Sequence, residues 1–138
     1  MEPCAVASIL VIDDDPAVRT TAKLLLERAG HQVAVAVDGR SGLAVLARAG
    51  ADLLIVDIFM PGMDGIETIQ EVRKHRADLP IIVMSGTSVG GASAPDFLAM
   101  ALKLGAVRSI SKPFRPRDIV VAVEQCLADP APPRSGAA

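Results

Sequence analysis

Tryptophan and tyrosine are absent and phenylalanine occurs only three times in 138 residues. That removes the aromatic platforms on which single-stranded nucleic acids stack. No sign of charge dominates: 14 Lys and Arg stand against 16 Asp and Glu, a formal net charge of -2, and the cations are scattered. Without a basic stripe, direct binding to nucleic acid or to an anionic membrane is not expected. Cysteine is scarce as well. Cys4 and Cys126 lie near opposite ends with no Cys or His beside them at metal-ligand spacing, so ordinary reduced thiols are expected. No segment reaches the roughly 18 consecutive apolar residues of a membrane span. The start Met1-Glu2-Pro3-Cys4 lacks the basic and apolar regions of a signal peptide, and a cytoplasmic protein is expected. There is no internal repeat. Gly86 to Gly91 fits neither dinucleotide nor P-loop spacing, which leaves a nucleotide site without support.

What is present is aliphatic: the hydrophobic fraction of 51% comes mainly from Ala, Val, Leu and Ile. A chain of this length makes one domain and buries roughly 65–70% of the surface its unfolded form exposes. Short Val- and Ile-rich runs alternate with segments of helical period, which predicts five βα units around a parallel sheet. Asp15 caps the first helix, Pro16 opens it, Val18, Ala22, Leu25 and Ala29 form its apolar stripe, and Gly30 stops it. Residues 32–37 form the second strand and Ser41 to Ala49 the second helix. Further helices are predicted over Gly65 to Arg76, Asp96 to Leu104 and Pro116 to Leu127, the last burying Ile119, Val123 and Leu127. The domain is placed at 8–128, between a lead of residues 1–7 and a flexible tail of residues 129–138, with no second domain after it. Ser85 to Pro95 is Gly- and Ser-rich and long for a βα connection, which is usually about 2–6 residues.

Four apolar runs end in polar residues: Ser8 to Ile12 before Asp13-Asp14-Asp15, Leu53 to Val56 before Asp57, Ile81 to Met84 before Ser85, and Val107 to Ser111 before Lys112-Pro113. In an open parallel sheet, ligands bind at the carboxyl ends of the strands, so these tips are expected to meet. Clustered carboxylates repel unless cations compensate them, which argues for a metal. Carboxylates of Asp13, Asp14 and Asp57, a main-chain carbonyl and water make the hydrated oxygen shell that Mg²⁺ prefers, with Mn²⁺ as a substitute. Three negative charges then face two from the metal and one from Lys112. Asp57 beside such a cation can attack phosphorus and form an acyl phosphate; Ser85 can hydrogen-bond a phosphoryl oxygen and Lys112 can pair with it. Each residue alone has a plainer reading, as a helix cap, loop acid, turn residue or surface charge. Their joint occurrence at four strand ends favours chemistry. His31 and His75 are read as solvated residues near helix C-termini, outside the site.

Ile-Asp-Asp-Asp-Pro at 12–16, Val-Asp-Ile-Phe-Met-Pro-Gly-Met-Asp-Gly at 56–65, Met-Ser-Gly at 84–86 and Ser-Lys-Pro-Phe at 111–114 resemble the signature segments of response regulator receiver domains. The resemblance spans residues 8 to about 128. It implies the α/β flavodoxin-like receiver fold, (βα)₅, with a doubly wound parallel sheet of strand order 2-1-3-4-5. Asp57 would be the phosphoacceptor, served by a sensor histidine kinase, a histidine phosphotransfer protein or a small donor. Asp14 would bind Mg²⁺ directly, Asp13 mainly through water, and Phe59 through its main-chain carbonyl. Ser85 would be the switch hydroxyl and Lys112 the phosphoryl's ion-pair partner, with a cis bond before Pro113. The family catalyses only its own phosphoryl transfer and dephosphorylation, and a downstream protein would meet the face built from the fourth helix, fifth strand and fifth helix.

Two departures stand out. Ser109 occupies the place where receivers commonly carry an inward-swinging aromatic, so the long loop from Ser85 is expected to move in its stead. By the same resemblance, Phe59 and Thr87 would border the route of the hydrolytic water, and bulky Phe59 is expected either to slow phosphoryl loss or simply to pack under the loop. Two other classes compete. A receiver-like module that binds without phosphorylation is kept open by Ser109. A haloacid dehalogenase-type phosphatase, suggested by Asp13-x-Asp15, is disfavoured by Ala17 and by the lack of room for a substrate cap.

Overall fold

The computed structural model describes residues 7–58, 65–85, 102–105, 108–112 and 114–128. Its strands are β1 (Ser8–Ile12), β2 (Gln32–Ala36), β3 (Leu53–Asp57), β4 (Ile81–Ser85) and β5 (Arg108–Ser111). All pair in parallel in the order β2-β1-β3-β4-β5, the expected doubly wound sheet. The helices are α1 (Pro16–Arg28), α2 (Gly39–Ala49), α3 (Gly65–His75) and a final helix, Pro116–Ala128. Parallel neighbours require crossovers, and the helices that make them cover both faces of the sheet.

That double cover explains why β1, β3 and β4 read as continuous apolar runs, whereas the edge strands β2 and β5 are partly exposed. Leu10, Ile12, Leu54, Val56, Ile81 and Val83 pack with Ile66, Ile69 and Val72 of α3. The alternate residues Ile9, Val11, Leu53, Ile55, Ile82 and Met84 pack with Ala22 and Leu26 of α1 and with Ile119 and Val123 of the final helix. Successive side chains of a strand point to opposite faces, so one run feeds two cores.

Local chemistry sets the helix ends. The Asp15 carboxylate accepts the Ala17 N–H at 2.9 Å, and Pro16 gives up no hydrogen bond at the first helical position. Asp38 accepts the Ser41 N–H at 2.8 Å, so α2 starts at Gly39 and not at Ser41. β2 closes at Ala36, one residue short of expectation, and Val37 is exposed. In α1 the fully buried leucine is Leu26, whereas Leu25 is only partly buried. In the final helix Ala122 and Cys126 join Ile119 and Val123 inside, while Leu127 is only partly buried. Among the residues of the helix predicted over Asp96 to Leu104, only 102–104 are described; the tail from 129 also lies outside the described residues.

His31 corrects a sequence expectation. It is buried rather than solvated, and its Nδ1 accepts the Ala7 N–H at 3.2 Å. The α1 terminus turns at Gly30, with φ of 102°, and directs the next residue under the sheet instead of into water. Arg73 fastens α3 to the segment preceding β5. Its guanidinium donates to the carbonyls of Leu104 (2.8 Å), Gly105 (3.0 Å), Arg76 (3.0 Å) and Leu79 (2.7 Å).

Burial pushes the Cys126 thiol up from its ordinary 9.0, against a smaller opposing effect of the Arg108 guanidinium. A raised thiol is neutral in the folded chain while the unfolded chain ionises. Its contribution to stability is therefore complete below pH 9.0 and is lost as pH rises beyond it. Urea midpoints are expected to decline above pH 9.0, with a shallower decline for Cys126→Ala. Equal slopes in the two proteins would contradict this.

Candidate functional site

The chain leaves β1 to form β2 on one side and later forms β3 on the other, so the crevice between β1 and β3 is the topological switch point. Ile12 pairs with Val56 across these strands. The next residues are Asp13 and Asp57. Asp13 is fully buried and Asp57 is 4% exposed. Asp14 is exposed at the mouth. Each of the three offers a carboxylate oxygen, and these oxygens lie within 4.8 Å of one another.

Lys112, one residue beyond β5, reaches across the strand ends. Its Nζ lies 2.8 Å from Asp13 Oδ2 and 3.1 Å from Asp57 Oδ2, and its main-chain N–H donates to the Ser85 carbonyl at 2.9 Å. Burial opposes the ammonium charge, but the carboxylates of Asp13 and Asp57 outweigh it and hold Lys112 above its ordinary range. Ser85 ends β4, one residue past Met84, the register partner of Asp57. The expected convergence of Asp13, Asp14, Asp57 and Lys112 is therefore present, with Ser85 on the adjoining strand tip. Ser109 is exposed on β5, away from this crevice. Phe59, Thr87, Pro113 and the loop from 86 to 95 lie outside the described residues.

Two further residues shape the site without having stood out in the sequence. Arg19, one turn into α1, donates from Nη1 to the Asp13 carbonyl at 2.8 Å, while Asp13 Oδ1 accepts the Asp15 N–H at 2.9 Å. The turn after β1 is thus held from both directions. Its only sequence signal is a cation six positions after the first acid of a triplet. Gly65 opens α3 against the end of β3: a Cβ there would stand 2.3 Å from the Asp57 carbonyl oxygen and 2.5 Å from Ile58 Cα. The signal for this was the glycine at a predicted helix start, without any indication of what it approached.

The donor set suits Mg²⁺. All the candidate ligands are hard oxygens, the Lys112 ammonium touches two of the three carboxylates, and the exposed Asp14 keeps one side open for the waters that Mg²⁺ retains. Asp15 belongs to the α1 cap, which separates it from the pair before it.

Comparison with known proteins agrees with the fold and the crevice. The response regulator receiver domain family matches residues 9–124. The DNA-binding transcriptional regulator NtrC of Azospirillum brasilense is 37% identical over 130 residues, covering 92% of this chain and 25% of that protein. The transcriptional regulatory protein FixJ of Bradyrhizobium diazoefficiens is 34% identical over 125 residues, covering 89% and 58%. This chain thus spans between a quarter and about three fifths of those relatives. Among solved structures, the chemotaxis protein CheY4 of Vibrio cholerae superposes with a TM-score of 0.79 at 30% identity, over 88% of this chain and 98% of that one. Five parallel strands in this order, acids at the switch point and a lysine bridging them accompany a family match over most of the length, and the chain belongs to the response regulator receiver domains of two-component signalling.

Proposed function

We propose that the chain is a Mg²⁺-dependent phosphoacceptor switch, in which Asp57 takes a phosphoryl group from a sensor histidine kinase or a histidine phosphotransfer protein. The observation that carries this reading is the Lys112 ammonium held between Asp13 and Asp57 at the switch point of the sheet. An Asp57 oxygen attacks phosphorus as the bond to the donor breaks, and the donor leaves with its electron pair. Asp13, Asp14 and Asp57, with the Phe59 carbonyl, would hold the ion; bound there, Mg²⁺ or Mn²⁺ neutralises the equatorial phosphoryl oxygens. Lys112 exchanges its contact with the Asp57 carboxylate for one with the new phosphoryl group, and Ser85 offers a hydroxyl from β4. The chain acts on itself and not as an enzyme on a separate substrate, in the cytoplasm. Its phosphorylated form engages a downstream protein through the surface that includes β5 and the final helix.

Ser109 favours one second reading. A small exposed side chain on β5 supplies no large group to swing between two positions, as expected of a module that binds its partner without phosphorylation.

The deciding experiment follows intact mass after incubation with an acyl-phosphate donor, with and without Mg²⁺. A Mg²⁺-dependent, alkali-labile phosphoryl adduct that disappears in Asp57→Ala is the expected result. An adduct that persists in the variant would remove Asp57 from the role. Absence of an adduct with both the small donor and a phosphorylated kinase would favour the constitutive module.

A further inference from the structure

α2 and α3 part over a pocket of about 370 Å³ at the end of the sheet opposite the acidic crevice. Helices between parallel strands run back against them, so Ala47 near the end of α2, His75 at the end of α3 and Arg76 just after it lie where β3 begins. The floor is apolar: Leu43 and Leu46 of α2 are half-buried and Val72 of α3 is buried. Glu71, the one acid of the described lining, is turned along its own helix, with a carboxylate oxygen 2.9 Å from Lys74 Nζ. Arg76 has no such partner. Its half-buried guanidinium donates from Nη2 to the Ala51 carbonyl at 3.2 Å and is paired with no carboxylate among the described residues. A cation partly withdrawn from water without a counter-charge favours an anion beside it, and a guanidinium holds a carboxylate through paired hydrogen bonds. Helix C-termini oppose an anion. That opposition is reduced here, because Arg73 donates to the carbonyls of Arg76 at 3.0 Å and Leu79 at 2.7 Å, and Arg76 covers that of Ala51.

We propose that this pocket binds a compact apolar carboxylic acid, its ring system on Leu43, Leu46 and Val72 and its carboxylate on Arg76. Size and polarity select this class. Small-molecule sites hold about 300–1,000 Å³ and are mostly apolar with a few placed polar groups. A pocket of about 370 Å³ lies near the lower end of that range and suits a compact ligand. A cationic ligand would be repelled by Arg76, and a neutral hydrocarbon would leave the guanidinium without its counter-charge. The site makes no demand on the chemistry of Asp57 and is open to ligand whether or not that residue carries a phosphoryl group.

Because the protein has neither tryptophan nor tyrosine, the fluorescence of naphthoate reports its binding without background. Naphthoate is titrated against wild type, Arg76→Gln, Ala47→Phe and Arg48→Gln, and amide chemical shifts locate it. Gln at 76 removes the charge and keeps a donor for the Ala51 carbonyl. Phe at the exposed position 47 closes the pocket from its open side, and Arg48 is exposed outside the lining. Saturable binding is expected, with shifts concentrated at Leu43, Leu46, Ala47 and Val72. Arg76→Gln should weaken it about tenfold and Ala47→Phe should abolish it, whereas Arg48→Gln leaves it unchanged. Naphthamide, with the same rings and a neutral head, should bind wild type about tenfold more weakly; this comparison needs no variant and holds even if Arg76→Gln folds poorly. The proposal is overturned if naphthoate does not saturate, if naphthamide binds as tightly, if a folded Arg76→Gln or Ala47→Phe protein binds equally well, if the shifts fall elsewhere, or if the extended chain of decanoate binds more tightly than naphthoate.

Discussion

Gly65→Ala is expected to lower stability by about 3 kcal/mol and to reduce phosphoryl acceptance at Asp57. The added methyl would lie 2.3 Å from the Asp57 carbonyl oxygen, 2.5 Å from Ile58 Cα and 2.9 Å from the Asp57 carbonyl carbon. All three are main-chain atoms of the phosphoacceptor and its neighbour. None can rotate away, and relief requires α3 to retreat from the sheet, opening the packing of Ile66, Ile69 and Val72. The helical gain of alanine over glycine, about 0.5–1 kcal/mol, is too small to offset this. Gly42→Ala is the useful comparison. Its methyl would meet Ile12 Cδ1 at 2.3 Å and Cγ1 at 2.7 Å, atoms of a buried side chain and not of the main chain, so a smaller loss of about 2 kcal/mol is expected. Urea denaturation of both variants, beside the adduct assay, decides the matter. Equal losses, or a Gly65→Ala protein as stable as wild type, would refute the account.

Lys112→Met is expected to bind Mg²⁺ at least about tenfold more tightly than wild type while losing most of its phosphoryl acceptance. The ammonium, 2.8 Å from Asp13 and 3.1 Å from Asp57, already neutralises part of the acidic cluster, and a cation entering the same cluster is repelled by it. Methionine fills the space of the stem without the charge. Affinity then rises because the ammonium no longer competes with the ion for the Asp13 and Asp57 carboxylates, and acceptance falls because the incoming phosphoryl group loses its counter-charge. Stability splits in the same way. Without metal, buried Asp13 has lost its partner, at a cost of about 2 kcal/mol after allowance for a Lys side chain that is 19% exposed. With saturating Mg²⁺ the deficit closes. Calorimetric titration of Mg²⁺ and thermal melts with and without it test both halves. Weaker metal binding by the variant would show that Lys112 organises the acids more than it repels the ion.

Sequence legibility varied with how local the controlling physics was. The inner strands β1, β3 and β4 were plain because aliphatic runs covered on both faces need no partner to be recognised, and the cap formed by Asp15 and Pro16 was complete within three residues. The switch-point acids and Lys112 could be assembled from their places at strand ends, since the fold itself dictates where such ends meet. What escaped detection depends on approach between distant segments. His31 reads as a turn residue until the turn is seen to aim it under the sheet at Ala7. Arg19 is an ordinary helix cation until its guanidinium meets the Asp13 carbonyl. The Arg73 bonds to Leu104 and Gly105 cross 31 and 32 positions, beyond any periodic pattern.

The alternation by which the inner strands β1, β3 and β4 each feed two cores also constrains how such a chain can change over evolutionary time. Inserting one residue within β3 would exchange the allegiance of every side chain beyond it and turn the Asp57 position toward the opposite layer. Inserting two would restore the facing but carry the carboxylate about 6.6 Å past the reach of Lys112. The strands therefore behave as a reading frame in three dimensions. Substitution within them is graded, whereas insertion and deletion are close to all-or-none. Length variation among descendants of this chain is thereby confined to the connections at the ends of the sheet.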